Sequence, residues 1–304
     1  MENVINTKCL INLLLNPWYI TGISDAESCF HISIGKNTKY KNNHYVNPSF
    51  SIVLHKKDKI LLEKIQSYFG GIGTLKSKKK DLAEFRVLAI KDLKVIIDHF
   101  DNYPLKTKKQ IDYILFKKSI ELILNKEHLT IEGLDKIVNL RASMNKGLPA
   151  SLKEAFPNTV PVTKPLVVTS KIIDPNWVVG FTDGEGCFFV KTHTNGEKRN
   201  VQIGCQITQH NRDIILLKSL IDFFNCGRLE PVGESSHNFT VTKLSDITNI
   251  IIPFFEKYPL IGSKAEDFKI WKEISELKVS KAHLTKEGYD RILELKSVMN
   301  SSRF

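Results

Sequence analysis

The sequence predicts an α+β protein that contains the same fold twice, each time a four-stranded antiparallel sheet with helices on one face. Three observations predict it: a nonapeptide that occurs twice, shorter matches that follow it in a constant register, and a proline-rich segment between the copies. The predicted domains are an N-terminal half over residues 1–145, a linker over 146–173 and a C-terminal half over 174–304. Each half should have the order αββαββα, and a pseudo-twofold axis should relate the halves.

The repeated nonapeptide predicts a short apolar helix in each half. It reads Ile-Thr-Gly-Ile-Ser-Asp-Ala-Glu-Ser over residues 20–28 and Val-Val-Gly-Phe-Thr-Asp-Gly-Glu-Gly over 178–186. Asn16 and Asp174 each precede a proline and are predicted N-caps. Small residues four positions apart leave one face of each helix without bulk, so the two helices should pack closely and bring Glu27 and Glu185 together. These small residues are Gly22 and Ala26, and Gly180 and Gly184.

Further matches extend the duplication to the whole of each half. They pair 50–55 with 205–210, 103–105 with 258–260, 128–130 with 283–285, and 144–145 with 299–300. The segment between the halves is rich in proline, which is excluded from helix and sheet interiors, so an extended linker with one helical turn is expected there.

The elements of the first half follow from periodicity and turn residues. The predicted strands are 28–35 and 47–55, around a polar loop at 37–43, and 73–78 and 84–90, around a turn at 79–81. The predicted helices after the motif helix are 57–69, 93–100, 107–125 and 130–144. The second half should repeat this order, with hairpins at 187–208 and 227–242.

The composition indicates a globular protein that binds a polyanion. The chain has 304 residues, a formal net charge of +11 and a sequence pI of about 9.3. Such a surface favours nucleic acid ahead of an anionic membrane, although a lysine-rich A+T-biased coding sequence would raise the charge as well. The apolar run at 10–15 is too short to span a bilayer, and residues 1–16 make a poor transit peptide, so neither a membrane nor export is predicted.

Strand alternation places polar and basic side chains on the sheet face that the helices leave open. A two-stranded ribbon with such side chains fits the major groove of duplex DNA, although a merely solvated sheet face would also be polar. The candidate nucleic-acid-binding residues of the first half are His31, Ser33, Gly35, Asn37, Ser49, Ser51, Val53, Thr74, Lys76, Lys78, Glu84 and Arg86. Those of the second half are Phe189, Lys191, His193, Gln202, Gln206, Thr208, Arg228, Asn238, Thr240 and Thr242.

The two motif glutamates are candidate metal ligands. Glu27 and Glu185 end helices whose last carbonyls carry partial negative charge, and with the carbonyls of Ala26 and Gly184 they offer oxygen ligands to a hard cation such as Mg²⁺. Metal-assisted phosphodiester cleavage is the favoured chemistry. Two carboxylates would also suit glycoside hydrolysis. A third alternative is that both glutamates only cap helices at a structural interface.

The repeated motif, with its flanking segments, resembles the LAGLIDADG motif of homing endonucleases in the double-motif, single-chain form. The 50–55 and 205–210 strands, the Tyr-Pro-Leu segments and the His-Leu-Thr helices are similar to the I-OnuI branch of that family. The resemblance covers residues 16–300. It implies a monomeric, site-specific endonuclease that cuts both strands of a long asymmetric DNA duplex with Mg²⁺, while Mn²⁺ or Ca²⁺ could occupy the same sites.

The resemblance also implies roles for particular residues. Glu27 and Glu185 would bind metal, whereas Asp25 and Asp183 would be structural. Lys109 and Lys264 match a basic residue near each site, with the neighbouring Lys108 as a rival in the first half. Gln209 matches a solvent-positioning glutamine whose first-half counterpart is Leu54.

Two departures from the family pattern predict unequal sites. Ser28 replaces the final glycine of the first motif, where a positive φ is common, so the first helix should end in a different geometry. Leu54 removes a polar group from the first site, and the two DNA strands should therefore be cut at unequal rates.

Two other functions remain open on the sequence. An RNA-binding maturase that assists splicing of its host intron would use a basic surface without needing DNA cleavage. A DNA-binding regulator with a silenced site is the third reading. The family resemblance and the Asn-, Lys- and Ile-rich composition predict an organelle-encoded mitochondrial protein.

Overall fold

The computed structural model describes residues 15–40, 42–167, 171–172, 174–196 and 198–299. The apolar run at 10–15 lies almost wholly outside these residues. Contacts divide the chain between residues 169 and 170 into two compact units, unit 1 and unit 2. The division falls within the predicted linker, and the domain boundaries at 145 and 174 stay predictions.

Unit 1 contains one four-stranded sheet and six α-helices among its described residues. The helices are α1 (Pro17–Glu27), α2 (Lys59–Tyr68), α3 (Ile90–Asn102), α4 (Lys109–Leu124), α5 (Ile131–Ala142) and α6 (Ala150–Ala155). The strands are β1 (Ser28–Lys36), β2 (His44–His55), β3 (Thr74–Lys79) and β4 (Leu82–Val87). The short helix α6 lies in the segment predicted as linker.

Unit 2 repeats the same order. Its helices are α7 (Pro175–Glu185), α8 (Ile214–Phe224), α9 (Leu244–Asp246, a π-helix Ile247–Ile251, then Ile252–Lys257), α10 (Lys264–Val279) and α11 (Lys286–Val298). Its strands are β5 (Gly186–Asn195), β6 (Lys198–His210), β7 (Arg228–Val232) and β8 (Ser236–Val241). None of the helices in the described part of the chain has the length and apolar character that a bilayer crossing requires.

The two sheets have the same topology, with strand orders β1-β2-β4-β3 and β5-β6-β8-β7 and antiparallel pairing throughout. Burial alternates along β1, where Phe30, Ile32 and Ile34 are buried and the residues between them are not. One sheet face therefore packs on helices and the other stays open, and the predicted α+β fold class is confirmed.

One phenylalanine lies at the centre of the core in each unit. The Phe30 ring in β1 lies 5.2 to 5.4 Å from the rings of Phe50, Phe100, Tyr113 and Phe116, measured between centroids. Phe188 in β5 has the corresponding role, with Trp271 at 5.1 Å and Phe268 at 5.4 Å. Aromatic rings at these distances add to the stabilisation that burial of their area provides.

Several element boundaries differ from the prediction, and two of the differences have a clear local cause or consequence. The strand predicted to reach residue 90 ends at Val87, and Ile90 already begins α3. In α9, Pro253 has no N–H to donate, and the preceding residues form a π-helix in place of a continuous α-helix. The predicted N-caps are confirmed, since the Asn16 and Asp174 side chains accept from the N–H groups of Trp18 and Asn176.

Unit 1 contains a buried polar network that ties α1 to α2 and α3. The Thr21 hydroxyl donates to the carbonyl of Tyr103 and lies 3.2 Å from His99 Nε2, while the Tyr68 hydroxyl lies 3.0 Å from His99 Nδ1. Because Thr21 donates to the carbonyl, it accepts from Nε2–H, and Nδ1 then accepts from Tyr68. His99 is only 7% exposed. Burial lowers the pKa of His99 to about 4 and raises that of Tyr68 to about 12.

This network should make the stability of unit 1 depend on pH. An unfolded histidine titrates near 6.5. Between pH 6.5 and pH 4 the unfolded chain binds a proton that folded His99 does not, so stability is full above that window and falls as the pH drops through it. At pH 5 we expect a loss on the order of 2 kcal/mol from this group, measured by urea unfolding at pH 7.5 and pH 5.

The matched control comes from unit 2, where the corresponding residues are Val179, Phe254 and Phe223. The triple variant T21V/Y68F/H99F should fold and lose this part of the pH dependence, because replacing all three side chains together leaves no polar side chain of the network unpaired. An unchanged pH profile in the triple variant would show that other groups cause the loss.

Candidate active site

A carboxylate and an ammonium group from distant parts of the sequence lie at the C-terminal end of α1. Glu27, the last residue of α1, is partly exposed. The Lys109 amine, from the first residue of α4, donates to the carbonyls of Ser24 (2.9 Å) and Ala26 (3.2 Å). A cation at this end of a helix is favourable because the last carbonyls carry partial negative charge.

Unit 2 has the same arrangement at the end of α7. The Lys264 amine, from the first residue of α10, donates to the carbonyls of Thr182 (2.8 Å) and Gly184 (3.1 Å). Lys264 is only 5% exposed, and Glu185 is partly exposed. In each unit the candidate lysine therefore reaches the end of the helix that carries the candidate glutamate.

An aspartate of each motif holds the start of the lysine helix in place, and Asp25 is buried. The Asp25 carboxylate accepts from the Lys106 N–H (2.8 Å), the Thr107 N–H (3.0 Å) and the Thr107 hydroxyl (2.6 Å), just before α4 begins. Asp183 accepts from the N–H groups of Ile261 and Gly262, just before α10. A carboxylate at a helix N-terminus satisfies N–H groups that have no partner inside the helix.

The structure distinguishes Lys108 from Lys109. The Lys108 amine donates to the carbonyl of Val167 at 3.1 Å, away from the end of α1. Lys109 alone of the two makes contacts that match those of Lys264.

The two helix ends differ in one polar neighbour. The Gln209 amide donates to a Glu185 carboxylate oxygen at 2.9 Å. Its counterpart in unit 1, Leu54, is apolar and 8% exposed. Leu54 therefore cannot supply the amide contact that Gln209 makes with Glu185.

The expectation that Ser28 changes the end of the first helix is wrong. Ser28 has φ −85° and ψ 159°, and Gly186 has φ −72° and ψ 154°. Both positions are extended because each helix leads directly into a strand, and any residue adopts that conformation. In both, the N–H of this residue donates to the carbonyl four residues earlier.

Glycine is needed at 186 for a different, steric reason. A Cβ atom on Gly186 would lie 2.5 Å from the Thr182 methyl group and 2.7 Å from the Thr182 carbonyl oxygen. In unit 1 the residue four positions before Ser28 is Ser24, which has no methyl group. The serine at 28 and the serine at 24 are thus a compatible pair.

The open face of the unit 1 sheet contains most of the predicted nucleic-acid-binding residues. Strand register places His31 opposite Ser49, Ser51 opposite Arg86, and Val53 opposite Glu84 on that face. Arg86 lies opposite Thr74, and Lys76 lies opposite Glu84. Lys78 reaches the same face through a register shift, and its amine donates to Glu84 at 3.0 Å.

Two of the predicted residues of unit 1 have other surroundings. Gly35 is covered by the ring of Tyr45, because a Cβ there would lie 2.5 Å from the Tyr45 hydroxyl oxygen. Tyr45 is therefore the side chain presented at that position. Asn37 lies beyond the end of β1, and its side-chain oxygen accepts from the Lys39 N–H within the loop. Asn37 therefore lies in the loop predicted for residues 37–43, and its role in DNA binding stays a prediction.

The open face of the unit 2 sheet is arranged in the same way. Phe189 lies opposite Gly204, Lys191 opposite Gln202, and His193 opposite Asn200. The next rows pair Gln206 with Thr240 and Thr208 with Asn238, and Thr240 lies in turn opposite Arg228. Thr242 follows β8 and belongs to this face through Arg228, whose Nη1 donates to its hydroxyl at 2.8 Å.

Some residues of the open faces are enclosed by their neighbours. Ser49 is 3% exposed, Thr240 2%, and Glu84 and Asn238 9% each. The Asn238 side chain accepts from the Thr208 hydroxyl at 2.7 Å and donates to the Gln206 side chain. These residues support the face and fix its rotamers, and the more exposed residues around them are accessible to a ligand.

A sequence profile decides the family. The LAGLIDADG endonuclease profile matches residues 20–120 and again residues 178–275. The chain belongs to the LAGLIDADG endonuclease family.

Relatives within the family include two proteins of Neurospora crassa. Probable intron-encoded endonuclease 2 is 42% identical over 297 residues and probable intron-encoded endonuclease 3 is 38% identical over 285, covering 93% and 92% of this chain. The chain spans 65% and 54% of the length of these two proteins.

The LAGLIDADG endonuclease I-SmaMI is also similar in structure. Its complex with uncleaved DNA in the presence of calcium ions superposes with a TM-score of 0.92 at 42% identity, over 94% of this chain and 99% of that one. Its complex with cleaved DNA gives a TM-score of 0.93, over 95% and 98% of the two chains. These values confirm the fold class.

The donors at each LAGLIDADG helix end suit a hard divalent cation. Each end offers a carboxylate, Glu27 or Glu185, and the carbonyl of Ala26 or Gly184. All are oxygen ligands, and a carbonyl that already accepts from lysine retains a second lone pair. Among the described residues no three His, Cys, Asp or Glu side chains cluster as a metal site. The donor set therefore fits Mg²⁺, which keeps several waters and takes ligands from substrate phosphates.

Several residues of the site escaped the sequence analysis. Tyr45, Asn200 and Glu230 lie on the open faces. Tyr45 could have been found by extending the strand alternation, since β2 begins at His44 and earlier than predicted. Asn200 and Glu230 lie two positions from the predicted residues Gln202 and Arg228, so the same alternation could have found them.

The Gly186 contact gives a stability prediction. G186S should destabilise unit 2 by about 1–3 kcal/mol, because the new Cβ overpacks against Thr182. The double variant T182S/G186S should recover part of that loss by removing the methyl group. Thermal unfolding of the single and double variants measures the coupling.

S28G is the matched control in unit 1. Serine and glycine both tolerate the extended conformation there, so we expect a change below about 1 kcal/mol. Strictly additive effects of T182S and G186S would contradict the steric explanation.

Proposed function

We propose that the protein is a single-chain, site-specific endonuclease that cuts both strands of a long, asymmetric DNA duplex with a divalent metal, Mg²⁺ being the expected cofactor and Mn²⁺ or Ca²⁺ able to occupy the same sites. The observation that carries the proposal is the duplicated helix end, where a lysine amine binds the last carbonyls of a helix that ends in a glutamate and leads into the sheet. Family membership and the DNA complexes of I-SmaMI support it.

The proposed roles follow from the chemistry of the side chains. Glu27 and Glu185, with the carbonyls of Ala26 and Gly184, would hold the cations. When bound, a cation supplies Lewis-acid stabilisation of the attacking and leaving oxygens of a phosphodiester. Asp25 and Asp183 are positioning residues that set the start of each lysine helix.

Three further side chains are proposed to act on the reacting groups. Lys109 and Lys264 are proposed to place positive charge where the phosphate gains negative charge in the transition state. Gln209 is proposed to orient the attacking water and Glu185 through its amide. Leu54 provides no such group in unit 1.

The open sheet faces are the proposed DNA-binding surfaces. Their exposed lysine and arginine side chains would contact phosphates and base edges, so binding should weaken steeply with salt. Unequal residues in the two units would give a target that is only partly palindromic. The fungal intron-encoded relatives and the composition support a mitochondrial location.

Removing the carboxylate charge tests the assignment. E27Q and E185Q should each abolish cleavage of the strand served by that site, and rates should fall at least about 100-fold. Binding to the same duplex should persist, because glutamine keeps the shape of glutamate. A target selected from a randomised duplex library with Mg²⁺ supplies the substrate, and cleavage and gel-shift binding are measured in parallel.

The control variant is E63Q, which alters an exposed glutamate on α2 that pairs with Lys59. It should cut like the wild type. Cleavage by both E27Q and E185Q would refute the proposal, and binding to folded RNA in preference to duplex DNA would favour the maturase.

The contact of Gln209 with Glu185 predicts unequal nicking of the two strands. The strand served by unit 2 should be cut faster, because Gln209 gives Glu185 an amide contact that Leu54 cannot supply in unit 1. Q209L should slow that strand and bring the two rates together, and L54Q should speed the other strand if the amide reaches Glu27. Strand-specific end labels measure the nicking rate of each strand, and equal rates in the wild type would contradict the prediction.

A further inference from the structure

Each open sheet face contains a single carboxylate among its described positions, Glu84 in unit 1 and Glu230 in unit 2. The other open-face residues are neutral or basic. A carboxylate on such a surface repels DNA phosphates, so it is compatible with binding only where it faces something other than the backbone. An exposed ion pair adds little stability, so stability does not explain a carboxylate at this position.

The Glu230 carboxylate is held in a specific geometry by Arg228. Arg228 Nε and Nη2 lie 2.9 and 2.5 Å from the same Glu230 oxygen, while Nη1 donates to the Thr242 hydroxyl. Both side chains belong to the edge strand β7, two positions apart and therefore on one face. Their side chains are 52% and 39% exposed, so both are accessible.

Glu230 also stays ionised at neutral pH. The Thr240 hydroxyl near it, together with the hydrogen bonds and charge of Arg228, holds the pKa of Glu230 below its ordinary value. The pair thus presents an arginine fork and a charged acceptor next to each other on an accessible strand.

Only one kind of base pair offers the complementary pattern in the major groove. Guanine presents two acceptors, O6 and N7, that arginine contacts bidentately, and the cytosine paired with it presents the N4 amino donor that a carboxylate accepts. In an A·T pair, the O4 acceptor or the methyl group of thymine would lie near one of the two side chains, and that side chain would lose its partner.

We propose that Arg228 and Glu230 act together as a specificity-determining pair that reads a G·C base pair of the target, with Arg228 on guanine and Glu230 on the cytosine amino group. This inference rests on the proposed DNA-binding function and adds the identity of one recognised base pair. Glu84 does not qualify for the same role, because its side chain is only 12% exposed and is held by the Lys78 amine.

The test compares binding specificity profiles. Wild type, E230Q and the control E273Q are each used to select duplexes from a randomised library with Ca²⁺, so that binding is measured apart from cleavage. Glu273 pairs with Arg291 on the helical side of unit 2, so E273Q removes a similar ion pair away from the sheet. Thermal unfolding confirms that the three proteins are equally folded.

The wild type should select a site with one invariant G·C pair under unit 2. E230Q should lose the preference at that pair by about 5- to 150-fold, because the glutamine amide both donates and accepts and so tolerates other bases. Preferences at the remaining positions, and the whole E273Q profile, should be unchanged.

Three outcomes would overturn the inference. An E230Q profile identical to that of the wild type would show that Glu230 reads no base. A uniform gain in affinity without a change at any base pair would show that Glu230 only repels phosphate. A wild type that selects no sequence at all would instead overturn the proposed function, and this inference with it.

Discussion

The fold depends on one contact in each unit, the lysine amine that donates to the last carbonyls of the motif helix. It joins α4 to α1 and α10 to α7 at the residues where chemistry is proposed. A cation at a helix C-terminus is worth up to about 2 kcal/mol when partly buried. An aspartate of the same motif fixes the start of the lysine helix and so supports this contact, as Asp25 does through Lys106 and Thr107. The nonapeptide thus supplies both the candidate ligand and the means of placing its basic partner.

Much of this could be predicted from the sequence because it depends on local patterns that occur twice. The motif helices, the N-caps at Asn16 and Asp174 and the strand alternation around Phe30 all follow from nearest neighbours and periodicity. Because the fold occurs twice, each assignment in one half could be checked in the other. The family match at Lys264, for example, supports the assignment of Lys109. Family resemblance added the roles of the glutamates, which spacing alone left open between phosphodiester cleavage and other carboxylate chemistry.

The remaining features depend on contacts between residues that are distant in sequence. The choice between Lys108 and Lys109 is made by the rotation of α4, which sends one amine to Val167 and the other to Ala26. The conformation at Ser28 is set by the strand that follows it and not by the preference of helix ends for glycine. The ring of Tyr45 covers Gly35 because the strand register places the two residues opposite each other. The prediction missed this contact because it started β2 after Tyr45.

The two units show that a duplicated fold changes in sets of residues and seldom at one position. His99, Tyr68 and Thr21 form a polar network in unit 1, and the equivalent positions in unit 2 are Phe254, Phe223 and Val179. The rings of Phe223 and Phe254 meet at 5.7 Å and 90°, in an edge contact like that of Tyr68 with His99 at 5.5 Å and 89°. A single substitution between these states would bury an unpaired polar atom, which is costly, whereas the complete set is satisfied in either form. The same reasoning explains why serine at position 28 accompanies serine at 24, while glycine at 186 accompanies threonine at 182. Because Gln209 touches Glu185 and Leu54 replaces it beside Glu27, divergence of this kind extends to the proposed catalytic centres, and it gives one chain two chemically distinct sites.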